Sequence, residues 1–225
     1  MKILFLLFLI LGIIGLTLFI LYYMLQLMGQ TNAAKMLQYG RDREYFIFEM
    51  LRSAFGSDRV MKNLYFPVPT RQGVFDTEVD IICITRGGIA VIEVKGSKGI
   101  IDTPKDGRWC QRYGKKERYF ENPFYQNQTH AASVKRALEN AGITNVPIYN
   151  YVVFTDIKVK FTHNYPWLVR SDRLLELTEK LDDRLILTRR DVKNIALIMR
   201  RHKRPKHPTF KTKMRRENQR KGKRR

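Results

Sequence analysis

The sequence predicts an α/β fold, with elements in the order αβββαβ around one central sheet, an apolar helix before it, and helices and a basic extension after it. Two observations carry this expectation. Residues 77–84 and 89–95 are apolar at nearly every position and flank Gly87-Gly88, as neighbouring strands in the middle of a sheet covered on both faces would be. Segments with apolar residues at helical spacing lie on either side, at about 32–55 and 125–140, which supply the covering layers of an α/β sandwich.

The elements follow in order. Residues 3–25 contain no charged side chain. At about 1.5 Å per residue such a helix spans the roughly 30 Å of a bilayer's hydrocarbon, so residues 1–28 are expected to be a transmembrane anchor, with Tyr22-Tyr23 near one interface. The competing reading is a cleaved signal peptide, whose apolar region would be shorter and end in small residues. Only Lys2 precedes the span while Lys35, Arg41 and Arg43 follow it. That bias predicts a single-pass protein of the cell membrane with its C-terminal domain in the cytoplasm. Cys83 and Cys110 are too few for a disulfide framework and suit a reducing compartment, and no Cys or His cluster has zinc spacing.

The helix over 32–55 carries Phe46, Ile47, Met50 and Leu51 at helical spacing, leaving Glu44 at its boundary. Residues 63–68 read as a first strand, confined by Pro67 and Pro69 to an edge. The runs around Asp80 and Glu93 form a hairpin through Gly87-Gly88. Residues 125–140 form a helix ending at Gly142, a C′ position, and 148–155 a buried strand. Helices over 172–182 and 189–201 follow, the second opened by a capping box in Thr188-Arg189-Arg190-Asp191. No internal repeat and no phosphate-cradling glycine loop is present. The domain is thus expected over 32–155, a helical extension over 156–201, and a tail over 202–225.

Chemistry concentrates in the hairpin. Side chains alternate faces along a strand, so Glu93 and Lys95 point one way while Ile92 and Val94 point into the opposite layer. With Asp80 on the paired strand facing the same side, two carboxylates and an ammonium converge in one cleft. Hard cations such as Mg²⁺ or Mn²⁺ take oxygen ligands of this kind. Asp80 and Glu93 are the candidate metal ligands, with the Val94 carbonyl, and Lys95 is placed to orient a water and stabilise developing charge. The alternative is a solvated edge pair, set against the cost of charges that end a strand of Ile, Val and Ala.

Four motifs in this order resemble the nuclease-related domain, a branch of the PD-(D/E)xK nuclease superfamily, over residues 38–155. They are Gly40-Arg41-Asp42-Arg43-Glu44; Glu78-Val79-Asp80 leading to Glu93-Val94-Lys95-Gly96; Trp109; and Asn122-Pro123-Phe124-Tyr125-Gln126. Arg43 departs from the family's second glycine, and Ile81 from a position often polar. The resemblance implies a restriction-endonuclease-like core with a central mixed sheet. It also implies Mg²⁺-dependent hydrolysis of phosphodiester bonds in DNA or RNA, DNA before RNA, in which Glu44 and Gln126 assist Asp80, Glu93 and Lys95. His130, one turn after Gln126, either joins them or belongs to a polar helix face. The alternative from another class is a catalytically silent nucleic-acid-binding or scaffold module at the membrane surface; a third is a lipid-facing interaction protein.

Charge separates partners by region. The net charge is +21, and residues 200–225 hold fourteen Lys or Arg against the single acid Glu217. Such a tail, expected to be disordered, can neutralise nucleic-acid phosphates, lie on an anionic leaflet, or only solubilise. Between the hairpin and the Asn-Pro motif, Lys98, Arg108, Arg112, Lys115 and Lys116 interleave with Trp109, Tyr113 and Tyr119. That pattern fits a phosphate backbone with unstacked bases or a solvated hairpin with ordinary core aromatics. No expected site residue lies beyond His130.

Overall fold

The computed structural model describes the backbone of residues 2–209, and side chains for residues 12–24 and 38–209. Residues 1–42 and 43–225 form two compact units. The first is the leading part of helix α1 (Lys2–Phe55). Its large hydrophobic side chains from Ile13 to Met24 are 48–65% exposed. Among the described residues no helix is long and apolar enough to cross a membrane; of the span expected over 3–25, the side chains of 3–11 and 25 lie outside the described residues.

The second unit runs from the end of α1 through β1 (Val60–Thr70), β2 (Gly73–Thr85), β3 (Gly88–Lys95), β4 (Ile100–Asp102), β5 (Trp109–Tyr113) and β6 (Lys116–Phe120) to α2 (Pro123–Glu139). It continues through β7 (Ile148–Phe154), β8 (Lys160–Phe161), β9 (Leu168–Arg170), α3 (Ser171–Asp182) and α4 (Arg189–Arg200). The main sheet has the order β1-β2-β3-β7-β9 and a second sheet the order β6-β5-β4-β8. Pairing is antiparallel from β1 to β3 and parallel from β3 to β9. This is a mixed α/β fold, and the expected αβββαβ order is found in α1, β1–β3, α2 and β7. Of the second sheet the sequence reading offered only the hairpin, β5–β6; β4, β8 and β9, three, two and three residues long, are too short to show a period.

Alternation along the strands builds the layers. Ile82, Ile84, Ile89 and Val91 pack with Val134 and Leu138 of α2 and Ile195 and Met199 of α4. The intervening Ile81, Cys83, Ala90, Ile92 and Val94 face Ile47 and Leu51 of α1 and Leu174 and Leu181 of α3. Each Ile, Leu, Val or Met among them contributes roughly 1.5–3 kcal/mol on leaving water. A third cluster, with Trp109, Phe154 and Leu168, joins the two sheets. The α1 stripe differs from expectation at Phe46, which is exposed; Ile47 and Leu51, four apart, are the buried pair.

The turn between β2 and β3 is also one residue off. Thr85 pairs with Gly88, so the loop is Arg86-Gly87 and Gly88 opens β3. Both glycines are required by close approach. A Cβ on Gly87 would lie 2.0 Å from the Leu181 carbonyl oxygen, and one on Gly88, at φ +139°, 2.4 Å from that of Pro147. Helix α2 ends in a Schellman arrangement at Gly142, with Ile143 N–H donating to Leu138 O at 2.9 Å. The expected capping box opens α4, as the Thr188 hydroxyl and the Asp191 carboxylate bond each other's backbone N–H. Both cysteines are free and buried, and burial pushes the Cys83 thiol up to about 12, which makes it inert.

Residues 202–209, part of the tail expected to be disordered, are held on the sheet; residues 210–225 lie outside the described residues. The Tyr65 N–H donates to His202 O at 2.7 Å, and the His202 ring stacks on Phe66 with centroids 4.3 Å apart. The reason is local: an imidazole stacked on the ring of Phe66, which is fully buried, with its Nδ1 3.1 Å from Tyr65 O, offers packing and a backbone partner that a purely charged tail lacks. Burial lowers the His202 pKa; Lys206 and Arg201 add to this, while the Tyr65 carbonyl and Asp76 oppose it. A depressed histidine favours the neutral form when docked, so its contribution is complete above the ordinary value of about 6.5 and lost as pH falls through the lower docked value. Hydrogen exchange at the Tyr65 amide, corrected for intrinsic rate, should lose protection below about pH 6, and His202→Phe should abolish that dependence. Unchanged wild-type protection down to pH 5 would refute the linkage.

Candidate functional site

The β2–β3 ladder runs from Thr85–Gly88 to Ile81–Ile92 and stops. One step further, the register sets Asp80 opposite Glu93. There a side chain replaces the ladder: the Val94 N–H donates to Asp80 Oδ2 at 3.0 Å. Strand β3 meanwhile continues parallel to β7 as far as Lys95–Phe154. The strands therefore part at the carboxyl end of β3, a position where α/β sheets commonly bind ligands. The opening is a cavity of about 760 Å³.

Glu44, Asp80, Glu93, Val94, Lys95 and Gln126 all line it, so the structure brings together every residue assigned to catalysis or metal binding from sequence. Asp80, Glu93 and Lys95 share the parity of Ile82 and Val91, whose face lies under α2. Glu44 comes from α1, three residues before the buried Ile47, and Arg43 beside it reaches the Thr155 hydroxyl at 3.4 Å.

Glu93 is only 2% exposed. A carboxylate taken out of water is costly unless paired and hydrogen-bonded, and Lys95 pairs one of its oxygens. The Lys95 ammonium bonds Glu93 Oε1 and lies 3.3 Å from Gln126 Oε1. On the other side His130, itself 3% exposed, sets Nδ1 3.5 Å from Glu93 Oε2. His130 thus belongs to the cleft and not to a solvated helix face.

Helix α2 is aimed by three devices. The Asn122 side chain accepts the Phe124 N–H at 2.9 Å as N-cap, and Pro123 occupies the first helical position, where its missing N–H costs nothing. The third is Asn127, fully buried, whose Nδ2 lies 2.9 Å from both Val91 O and Tyr151 O and 2.7 Å from Asn150 Oδ1. It fastens α2 to β3 and β7 between Gln126 and His130. The sequence reading missed Asn127, although a signal existed: the apolar stripe Leu138, Val134 continues backward at helical spacing into His130 and Asn127, and polar groups on a buried stripe need partners.

Other walls were not foreseen. Asp76, Thr77, Glu78, Glu121, Thr129 and Thr209 also line the cavity, so the site extends beyond His130 to the last described residue. The five basic residues assigned to nucleic acid do not line it. Lys98, Lys115 and Lys116 are exposed. Arg112 is held by Glu117 at 3.1 Å and Asp102 at 3.7 Å, and Arg108 by Glu121 at 3.3 Å.

Comparison with known proteins agrees with this geometry. A profile described as nuclease-related domain matches residues 39–155. The chain belongs to the nuclease-related domain family. It is also 36% identical over 64 residues to an uncharacterized protein of Bacillus anthracis, an overlap of 28% of this chain and 30% of that protein's length. No solved structure matches.

A nuclease-related domain implies a divalent metal, and the donors suit one. Asp80, Glu93 and the Val94 carbonyl would offer hard oxygen donors, the kind that hard divalent cations take. Among the described residues no group of three or more His, Cys, Asp or Glu could hold a metal, so water and substrate oxygens would complete the shell, as Mg²⁺ commonly allows. Asn127→Ala should destabilise the domain by roughly 2–4 kcal/mol, because two buried carbonyls lose their side-chain donor. A urea midpoint within error of wild type would show that Asn127 does not fasten α2.

Proposed function

We propose that this nuclease-related domain protein is a membrane-attached, Mg²⁺-dependent nuclease that hydrolyses phosphodiester bonds of DNA or RNA. The observation that carries the reading is one cavity uniting Glu44, Asp80, Glu93, Val94, Lys95 and Gln126 at the parted end of β2 and β3. Asp80 and Glu93, with the Val94 carbonyl, are the residues to hold the cation, which would lend Lewis acidity toward a phosphoryl oxygen and make water easier to deprotonate. Asp80 is fixed for this by the Val94 N–H.

The side chains do the rest. Lys95, held between Glu93 and Gln126, presents an ammonium where charge develops on the phosphoryl oxygens and orients the attacking water. Gln126 limits the arc over which that ammonium can swing. His130 braces Glu93 from the opposite side, and Glu44 adds a carboxylate on the far wall that can accept a hydrogen bond from water.

Membrane attachment rests on the uncharged residues 3–25 and on the exposure of Ile13, Leu18, Phe19 and Leu21 in α1, a surface that water does not favour. The basic residues following that segment support a cytoplasmic domain. The domain should therefore resist protease added outside intact cells; its digestion there would reverse the orientation.

Full-length protein in detergent should cleave DNA with Mg²⁺ and not with EDTA. Asp80→Ala and Glu93→Gln should abolish cleavage, and Lys95→Ala should lower turnover roughly 10²–10³-fold while leaving oligonucleotide binding in place. Equal cleavage by wild type and Asp80→Ala would mark a contaminating activity. Metal-independent binding without any turnover would make the protein a silent nucleic-acid-binding module.

A further inference from the structure

A second cavity, of about 580 Å³, opens at the other end of β2. Arg86, the residue after Thr85, lies in its wall, and the strand between Asp80 and Arg86 measures about 20 Å at roughly 3.4 Å per residue. No residue is shared with the cleft around Glu93. The charged lining is Arg59, Arg86, Arg189 and Lys193 against Asp58 and Asp182.

Both acids are already engaged. Asp182 binds the Arg59 guanidinium and accepts the Arg86 backbone N–H at 2.7 Å. Asp58 is bound by Arg200, which does not line the cavity. Arg59 is further fixed, donating Nε to Ile84 O at 2.8 Å and lying 5.1 Å from the centre of the Phe55 ring. Arg86, Arg189 and Lys193 remain, and among the described residues none of the three pairs with a carboxylate.

These three cations are set in place by the fold. The Arg86 backbone is held on both sides, by Asp182 and by the Leu187 N–H donating to its carbonyl at 2.6 Å. Its half-buried side chain has Nε 3.5 Å from Leu187 O. Arg189 and Lys193 are four apart on α4, on one face with Val192 and Ala196. Like charges gathered round one enclosure repel, and an anion between them relieves that repulsion. A guanidinium fork matches the oxygens of a phosphate, which also brings more charge than a carboxylate to meet several cations at once. The cavity is larger than a bare phosphate needs, and Phe55, Val192 and Ala196 give it an apolar side, as pockets for small organic ligands have.

We propose that this cavity binds a small organic phosphate of the nucleoside diphosphate class, with its phosphates between Arg86, Arg189 and Lys193 and its organic part against Phe55, Val192 and Ala196. The site is separate from the cleft and does not depend on the chemistry there. A phosphorylated lipid headgroup offers the same groups, so the two sources are told apart by experiment.

The test uses full-length protein in nanodiscs of phosphatidylcholine, with EDTA present so that no cation draws phosphate into the acidic cleft, and ADP binding followed by calorimetry. ADP should bind, pyrophosphate should compete with it, and adenosine should not. The variant R189Q/K193Q should bind ADP at least about tenfold more weakly, having lost two charge-assisted contacts. Arg86→Lys, which keeps the charge and loses the fork, should weaken binding on its own. R190Q/K203Q, which removes the same charge from outside the cavity, should stay within about twofold of wild type, because distant exposed charges are screened. Asp80→Ala should leave ADP binding unchanged. Failure of ADP and pyrophosphate to bind at millimolar concentration would overturn the proposal. So would equal losses in R189Q/K193Q and R190Q/K203Q, competition by adenosine as strong as by ADP, or loss of binding in Asp80→Ala, which would put the ligand in the cleft. Displacement of ADP by phosphatidylinositol 4-phosphate in the nanodisc would assign the cavity to a lipid headgroup, and displacement by an oligonucleotide without a terminal phosphate would assign it to a nucleic-acid backbone; either result overturns a small soluble ligand. No cleavage enters the readout, so failure here leaves the nuclease reading standing.

Discussion

The arrangement depends on one buried charge. Glu93 ends a strand of Ile, Val and Ala inside the protein, and a carboxylate there is tolerable only if the surroundings answer it. Lys95 can answer because it is two residues on and therefore on the same face. His130 can lie against the second Glu93 oxygen only if α2 lies across β3 at the right height, which the cap at Asn122 and the three contacts of Asn127 arrange. A helix that looks like ordinary sandwich covering is thus positioned by what the end of β3 requires.

The parting of β2 from β3 serves the same end. Where two strands separate, main-chain groups normally lose partners. Here one is recovered by the Asp80 carboxylate and another, at Asp76, by the returning strap of 206–209. The side chain that closes the ladder is also a candidate ligand. That double use explains why the cleft can be rigid although it is an interruption of the sheet. Asp80 cannot turn away without leaving the Val94 N–H unpaired, and such a group costs roughly 1–3 kcal/mol when buried.

Much of this was legible before any coordinates. Period-two alternation in 77–84 and 89–95 gave the faces of Asp80, Glu93 and Lys95, and helical spacing gave α2 and α4 to within a residue or two. The family resemblance added Glu44 and Gln126, which no local pattern would have singled out. Three things were not legible, each for a physical reason. The second sheet adds to the hairpin already offered two strands, β4 and β8, too short for a period. Arg108 and Arg112 read as free cations because their acids, Glu121, Glu117 and Asp102, are brought to them by cross-strand pairing. Residues 202–209 read as tail because composition says nothing of one histidine stacking on Phe66 or of backbone N–H groups meeting a distant aspartate. Asn127 was different, since its stripe was visible in the sequence and only the demand for partners had to be applied.

The charge distribution ties these parts together. Asp80 and Glu93 set against Lys95 leave one negative charge at the heart of the cleft, and the other acidic walls deepen it. A single ammonium leaves that charge standing, whereas in the proposed reading a divalent cation held by the two carboxylates would reverse the local sign. Binding of a polyanion would then be conditional on the cation, coupling occupancy of the site to readiness for chemistry.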